Sequence, residues 1–182
     1  MPPQQPNGLL DVIDNGLDFG AHGYTRGRNR GENLMSAQAN DKLRDRLIGT
    51  WKLVSAMREE TSSGEKTPFL GENPTGFLHY MPDGRMLALI TRAGRKPPAG
   101  NVATPAEAEG LIRSMIAYGS RYECVGDEVL HHCDISWTEK FTGTVQRRKV
   151  TLDGDRLTLS PPPSLDPVDG KMSVRTLTWE KV

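Results

Sequence analysis

From Leu43 to the C-terminus, apolar and polar residues mostly alternate instead of recurring every three or four positions. That is the period of strands with one buried face. GTWKLVSAMRE (49–59) sets Trp51, Leu53, Ser55 and Met57 on one side and Lys52 and Arg58 on the other. TGFLHYMPDGRMLALIT (75–91) holds two β-rich runs around Pro82-Asp83-Gly84, and Asp-Gly is a strong turn signal, so the segment reads as a hairpin. Further strands are predicted over 117–125, 128–136, 143–153, 156–160 and 171–182. Gly126-Asp127 and Gly154-Asp155 mark turns, and PPPSLDP (161–167) reads as a rigid loop.

Two helices interrupt this pattern. A short amphipathic one over about 40–47 carries Leu43 and Leu47 at i, i+4. TPAEAEGLIRSM (104–115) opens with Thr104 as an N-cap, Pro105 at the first helical position and Glu107 three residues on, a capping-box signature. Eight strands on short connections, with one helix inserted after the third, describe an antiparallel meander. Eight such strands close well into a barrel with room for one small ligand. The expected fold is therefore all-β: an eight-stranded antiparallel β-barrel with a short N-terminal helix and one inserted helix.

Residues 1–34 differ from the rest. They are rich in Gly, Asn, Pro and Arg, as in GYTRGRNRGEN (23–33), with no sustained period, and read as a flexible arm ahead of a domain over 35–182. Met35 opens MSAQANDKLRDRL, which resembles a natural protein start. The N-terminus lacks the basic and apolar regions of a secretory signal. No apolar run approaches the roughly 20 residues of a membrane span. The 182 residues carry 23 basic and 23 acidic side chains, a balance that argues against nucleic acid or an anionic membrane as partner. Cys124 and Cys133 form neither a disulfide framework nor a zinc spacing. A reducing, cytoplasmic setting is the expectation.

VLHHCDIS (129–136) concentrates the candidate chemistry. Alternation sends Val129, His131, Cys133 and Ile135 inward and Leu130, His132, Asp134 and Ser136 outward. Adjacent histidines on a strand do not share a metal. His131 and Cys133 would need a further ligand, for which only Cys124 offers itself, so no metal site is assigned. An inward imidazole titrates near neutral pH and can move a proton. Tyr118, Ser120, Tyr122 and Cys124 share a face of the preceding strand, and Gln146 and Arg148 share one with Val150 and Leu152 of the following strand. These three strands are sequential and expected to be neighbours. A buried Arg148 requires an anionic partner: an internal carboxylate or an oxygen of a ligand. His131, Arg148 and Tyr122 are thus the candidate catalytic set, and Tyr80, Tyr118, Gln146, Ser55 and Trp179 the candidate ligand-binding set. The chain has no P-loop, dinucleotide fingerprint or nucleophile elbow, and no cofactor is expected.

LIGTWKLVS (47–55), GFLHYMPDGRM (76–86), AYGSRYECVGDEVLHHCDIS (117–136) and GTVQRRKVTLDGDRLTLS (143–160) resemble the lipocalin-like domain family of microbes. The resemblance covers about 43–182. It implies a lipocalin-like barrel that binds a hydrophobic, polyketide-like small molecule. Some family members of secondary metabolism are similar to cofactor-free cyclases or isomerases, the alternative reading. Lipocalins proper begin with Gly-x-Trp and carry an arginine on the last strand that lies across the tryptophan. The resemblance assigns these positions to Gly49, Trp51 and Arg175.

Overall fold

The computed structural model describes residues 30–166 and 169–182, with side chains from residue 34 onward. As far as residue 29, the expected N-terminal arm lies outside the described residues. From Arg30 the chain is already helical: α1 runs Arg30–Leu47, longer than its two-leucine stripe predicts. The strands are β1 (Gly49–Glu60), β2 (Lys66–Pro68), β3 (Thr75–Tyr80), β4 (Arg85–Thr91), β5 (Met115–Val125), β6 (Glu128–Ser136), β7 (Val145–Asp153), β8 (Arg156–Ser160), β9 (Ser164–Leu165) and β10 (Met172–Lys181). Helix α2 (Pro105–Arg113) lies between β4 and β5. Its capping box is fully formed, with Thr104 and Glu107 each accepting the other's backbone N–H.

Eight strands pair antiparallel in the order β1-β3-β4-β5-β6-β7-β8-β10, and β10 pairs back onto β1 to close the barrel. Closure leaves no long sheet edge. The short β2 adds to β1 and β9 to β10. Thus part of the expected 161–167 loop turns back as a strand, pairing Ser164 and Leu165 with Ser173 and Met172. Side chains from β1, β3, β4, β6, β8 and β10 form the inner core: Trp51, Tyr80, Leu78, Met86, Ile90, Val129, Leu157 and Trp179 are each at most 2% exposed.

Two bulges shift the strand faces away from strict alternation. In β1, Leu53 pairs Trp179 and Ser55 pairs Thr178, so Val54 is an extra residue. A bulge flips every later side chain to the opposite face. Ala56, Arg58 and Glu60 therefore continue the inward row of Trp51 and Leu53, and Ser55 faces outward beside Thr178. This corrects the expectation of an inward Ser55 and an outward Arg58. In β6, Cys133 pairs Ser120 and Ile135 pairs Gly119, leaving Asp134 extra. Ile135 consequently stands 68% exposed, which corrects its inward assignment.

Helix α1 covers the barrel end made by the β3–β4, β5–β6 and β7–β8 turns. The Arg44 guanidinium donates to the Pro82 carbonyl, Asn40 Oδ1 accepts the Gly126 N–H at 2.9 Å, and Arg46 donates to the Leu152 carbonyl at 3.4 Å. Leu47 is fully buried, and its carbonyl accepts the Trp51 indole N–H at 2.8 Å.

At this end the cation over Trp51 is Lys181, whose Nζ sits 5.0 Å from the ring centroid and donates to the Arg46 carbonyl at 3.1 Å. Gly49 makes this possible. Its φ is +132°, and a Cβ there would meet Lys181 Cε at 3.0 Å. Arg175, expected over Trp51, instead pairs in register with Arg58, while Trp51 pairs with Lys181. Six residues of strand separate the two cations, roughly 20 Å. Arg175 lies over Phe69 and donates to Asp166 at 2.8 Å. Arg58 Nε approaches the same carboxylate oxygen at 2.7 Å, and Arg58 also forks onto Asp169. Two inward arginines thus share a carboxylate that is only 5% exposed, which ties β1 and β10 to the chain beyond β9.

Candidate functional site

Up to the bulge at Asp134, sequence alternation assigns the faces of the β5–β6–β7 wall as the structure has them. Tyr122, His131 and Gln146 lie side by side on one rung, and Cys124, Val129 and Arg148 on the next but one. The burial of β7 alternates so that Gln146, Arg148, Val150 and Leu152 face in while Arg147 and Lys149 are exposed. The outward pair behaves as expected: His132 meets Glu123 at 3.0 Å and Asp134 meets Arg85 at 2.6 Å.

His131 is the hub. It is fully buried, and both ring nitrogens are engaged: Nε2 lies 2.8 Å from the Tyr80 hydroxyl and Nδ1 3.0 Å from the Tyr118 hydroxyl. Burial, with the positive charge of Arg148 as the next cause, holds its pKa well below the usual histidine value, so the ring is neutral at neutral pH. Burial also raises the Tyr80 phenol, and pushes Tyr118 up to about 12 against the pull of Arg148. Both tyrosines therefore remain protonated.

Tyr122 points inward but is not a partner of His131. Its hydroxyl donates to the Met81 carbonyl at 3.0 Å, and its ring packs edge-on against Tyr80 at 4.8 Å. Of the tyrosines expected in the site, Tyr80 and Tyr118 touch the imidazole, and Tyr122 braces Tyr80. The Ser120 hydroxyl donates to Cys133 Sγ at 3.4 Å. Trp179 is buried in the core, paired with Leu53 and Leu157, and its indole N–H has no partner among the described residues.

Arg148 is half-buried, and among the described residues it makes no ion pair. Its guanidinium donates to the Arg147 carbonyl at 2.7 Å and to the Gln146 side-chain oxygen at 3.3 Å, and Gln146 in turn donates to Thr144 at 2.9 Å. Of the two partners expected for it, an internal carboxylate or a ligand oxygen, the carboxylate is not found among the described residues. Strand alternation does not single out Trp137 and Phe141, which lie on the β6–β7 connection. Trp137 packs edge-on to Phe141 at 5.0 Å, and Phe141 on Tyr118 at 6.3 Å, adding an aromatic wall beside the histidine. Their spacing follows no strand period, so only their size and apolar character could have flagged them.

The family model of the lipocalin-like domain matches residues 48–182, and the chain belongs to that family. No curated protein matches it. Among solved structures, a redesigned β-barrel is 13% identical with a TM-score of 0.33, covering 74% of this chain and 91% of its own. The protein EF1p2_mFAP2b bound to DFHBI is also 13% identical, with a TM-score of 0.38, covering 81% of this chain and 97% of its own.

Proposed function

We propose that this member of the lipocalin-like domain family binds a hydrophobic small molecule inside its barrel, against the wall that carries Tyr118, His131 and Arg148. One observation carries the reading. Among the described residues, a half-buried arginine without a carboxylate partner stands near a fully satisfied neutral histidine, in a wall lined mostly by apolar and aromatic side chains. Protein interiors place a few polar groups among apolar ones where a ligand must be oriented. The free thiols of Cys124 and Cys133 fit a reducing, cytoplasmic setting. Native mass spectrometry of the purified protein tests the reading. A small-molecule adduct that is lost on denaturation is expected. A protein that carries no adduct and takes up no apolar dye would refute it.

A second reading, a cofactor-free isomerase or cyclase, is favoured by the Tyr80–His131–Tyr118 chain. A neutral imidazole between two phenols can take up a proton at one nitrogen and release one from the other. Arg148 would stabilise enolate-like charge. On an identified substrate, His131→Ala and Arg148→Ala should each lower turnover while binding persists. Unchanged turnover in both variants excludes this chemistry.

A further inference from the structure

The hydrogen bonds of the wall fix which way its donors point. A neutral imidazole has one N–H and one lone pair, so one of its two tyrosines donates to the ring and the other accepts from it. Tyr80 is fully buried, and His131 Nε2 is its hydroxyl's partner. If Tyr80 were the acceptor, its own proton would be buried without a partner, which is costly. Tyr80 therefore donates to Nε2, the Nδ1–H donates to Tyr118, and the Tyr118 hydroxyl proton is left over on the half-buried side. The other hydroxyls of the wall are spent: Tyr122 on the Met81 carbonyl and Ser120 on Cys133. The Gln146 side-chain oxygen already accepts from Arg148.

What remains is an excess of donors. The Tyr118 O–H is free, and Arg148 has N–H groups beyond the two it uses. Two buried indole N–H groups, of Trp137 and Trp179, also find no hydrogen-bond partner among the described residues. The two buried carboxylates among the described residues are already engaged, Asp166 by Arg58 and Arg175 and Glu60 by Lys171.

We infer that the barrel selects apolar ligands bearing an anionic oxygen, a carboxylate, phenolate, enolate or sulfonate, received by the Tyr118 hydroxyl and the Arg148 guanidinium. This rests on the small-molecule reading above and adds the class of ligand. An oxyanion supplies the acceptors the wall lacks and the counter-charge Arg148 lacks, whereas a neutral ligand of the same shape supplies neither.

A pair of fluorescent probes tests it: 8-anilinonaphthalene-1-sulfonate and N-phenyl-1-naphthylamine, which share a body and differ by the sulfonate. The sulfonate dye should bind the wild-type protein about tenfold tighter or more, the worth of charge-assisted hydrogen bonds. Arg148→Met and Tyr118→Phe should each cut that ratio several-fold and leave the neutral dye's affinity within about twofold. Arg148→Lys should restore part of the ratio. Near-UV circular dichroism confirms that each variant is folded, and the two substitutions on different strands give independent readings. Equal affinity for both dyes in the wild-type protein, or a ratio that neither substitution moves, would overturn the ligand class and leave the binding reading standing. Failure of both dyes to bind would refute the binding reading itself, and this inference with it.

Discussion

The Tyr80 hydroxyl meets His131 Nε2 at 2.8 Å across 51 residues of sequence. The contact joins β3 to β6, which are separated in the sheet by β4 and β5, so it bridges the barrel interior instead of running along the wall. It fixes the imidazole from the side opposite its own strand neighbours. Removing it with Tyr80→Phe leaves a ring nitrogen unsatisfied at a fully buried site. The expected cost is about 1–3 kcal/mol, read as a lower urea midpoint with an unchanged m-value. A midpoint equal to that of the wild type would show that water or a rearranged neighbour replaces the phenol.

The same burial makes stability depend on pH in one direction. The folded-state pKa of His131 lies below its ordinary value of 6.5. Above that value both states are neutral at this site and pH has no effect through it. As pH falls below 6.5, the unfolded chain takes up a proton that the native ring refuses. Stability then drops by about 1.4 kcal/mol per pH unit until the folded pKa is reached. Urea titrations between pH 7.5 and 5, intervals chosen to span roughly that window, should show this slope in the wild-type protein. It should be shallower by that amount in His131→Gln. Parallel curves would mean that the histidine is charged, or exposed, in the native protein.

Lys181 occupies the position over Trp51 that the family resemblance assigns to an arginine. Lys181→Met keeps the apolar stem but removes the cation and its bond to the Arg46 carbonyl. A loss of about 0.5–1 kcal/mol is expected, with altered tryptophan fluorescence. Arg175→Met should leave that fluorescence signal unmoved, because Arg175 lies over Phe69.

Asp166 answers two buried arginines at once. Asp166→Asn leaves both without their shared charge and should cost about 3–5 kcal/mol, among the largest effects of any polar substitution in the chain. Thermal unfolding measures it directly. A shift in Tm no larger than that of an exposed ion-pair variant such as Lys66→Gln would contradict the shared-carboxylate account.

On the outer surface, Leu87 and Ile135 approach each other over Gly119, where a Cβ would lie 3.1 Å from one and 3.2 Å from the other. Both are more than half exposed. The double substitution Leu87→Ser with Ile135→Ser should change stability by no more than about 0.5 kcal/mol per site. It should also leave the preference for the sulfonate dye intact. Loss of that preference would place the dye on the outer face instead of inside the barrel.

Much of the β5–β6–β7 wall was legible beforehand. Where two strands pair without irregularity, a period of two fixes each side chain's face, and sequential strands become neighbours. That sufficed to turn His131, Gln146 and Arg148 inward and His132 and Arg147 outward. The same rule misplaced Ser55, Arg58 and Ile135, because each follows a bulge. A bulge is a property of two strands in register, and neither strand's pattern announces it. Alternation also could not tell that Tyr80 and Tyr118 meet the imidazole while the Tyr122 hydroxyl reaches the Met81 carbonyl, since facing inward does not say what a hydroxyl reaches.

By itself, then, the sequence determined the strand pattern, the turns, the capped helix and the closed eight-stranded barrel, all of which follow from local alternation and turn chemistry. Only the tertiary structure decided that Tyr80 crosses the interior to His131, and that Lys181 rather than Arg175 covers Trp51. It alone left Arg148 without a carboxylate. These contacts depend on barrel closure, which brings together strands far apart in the chain and sets side chains from opposite walls against one another.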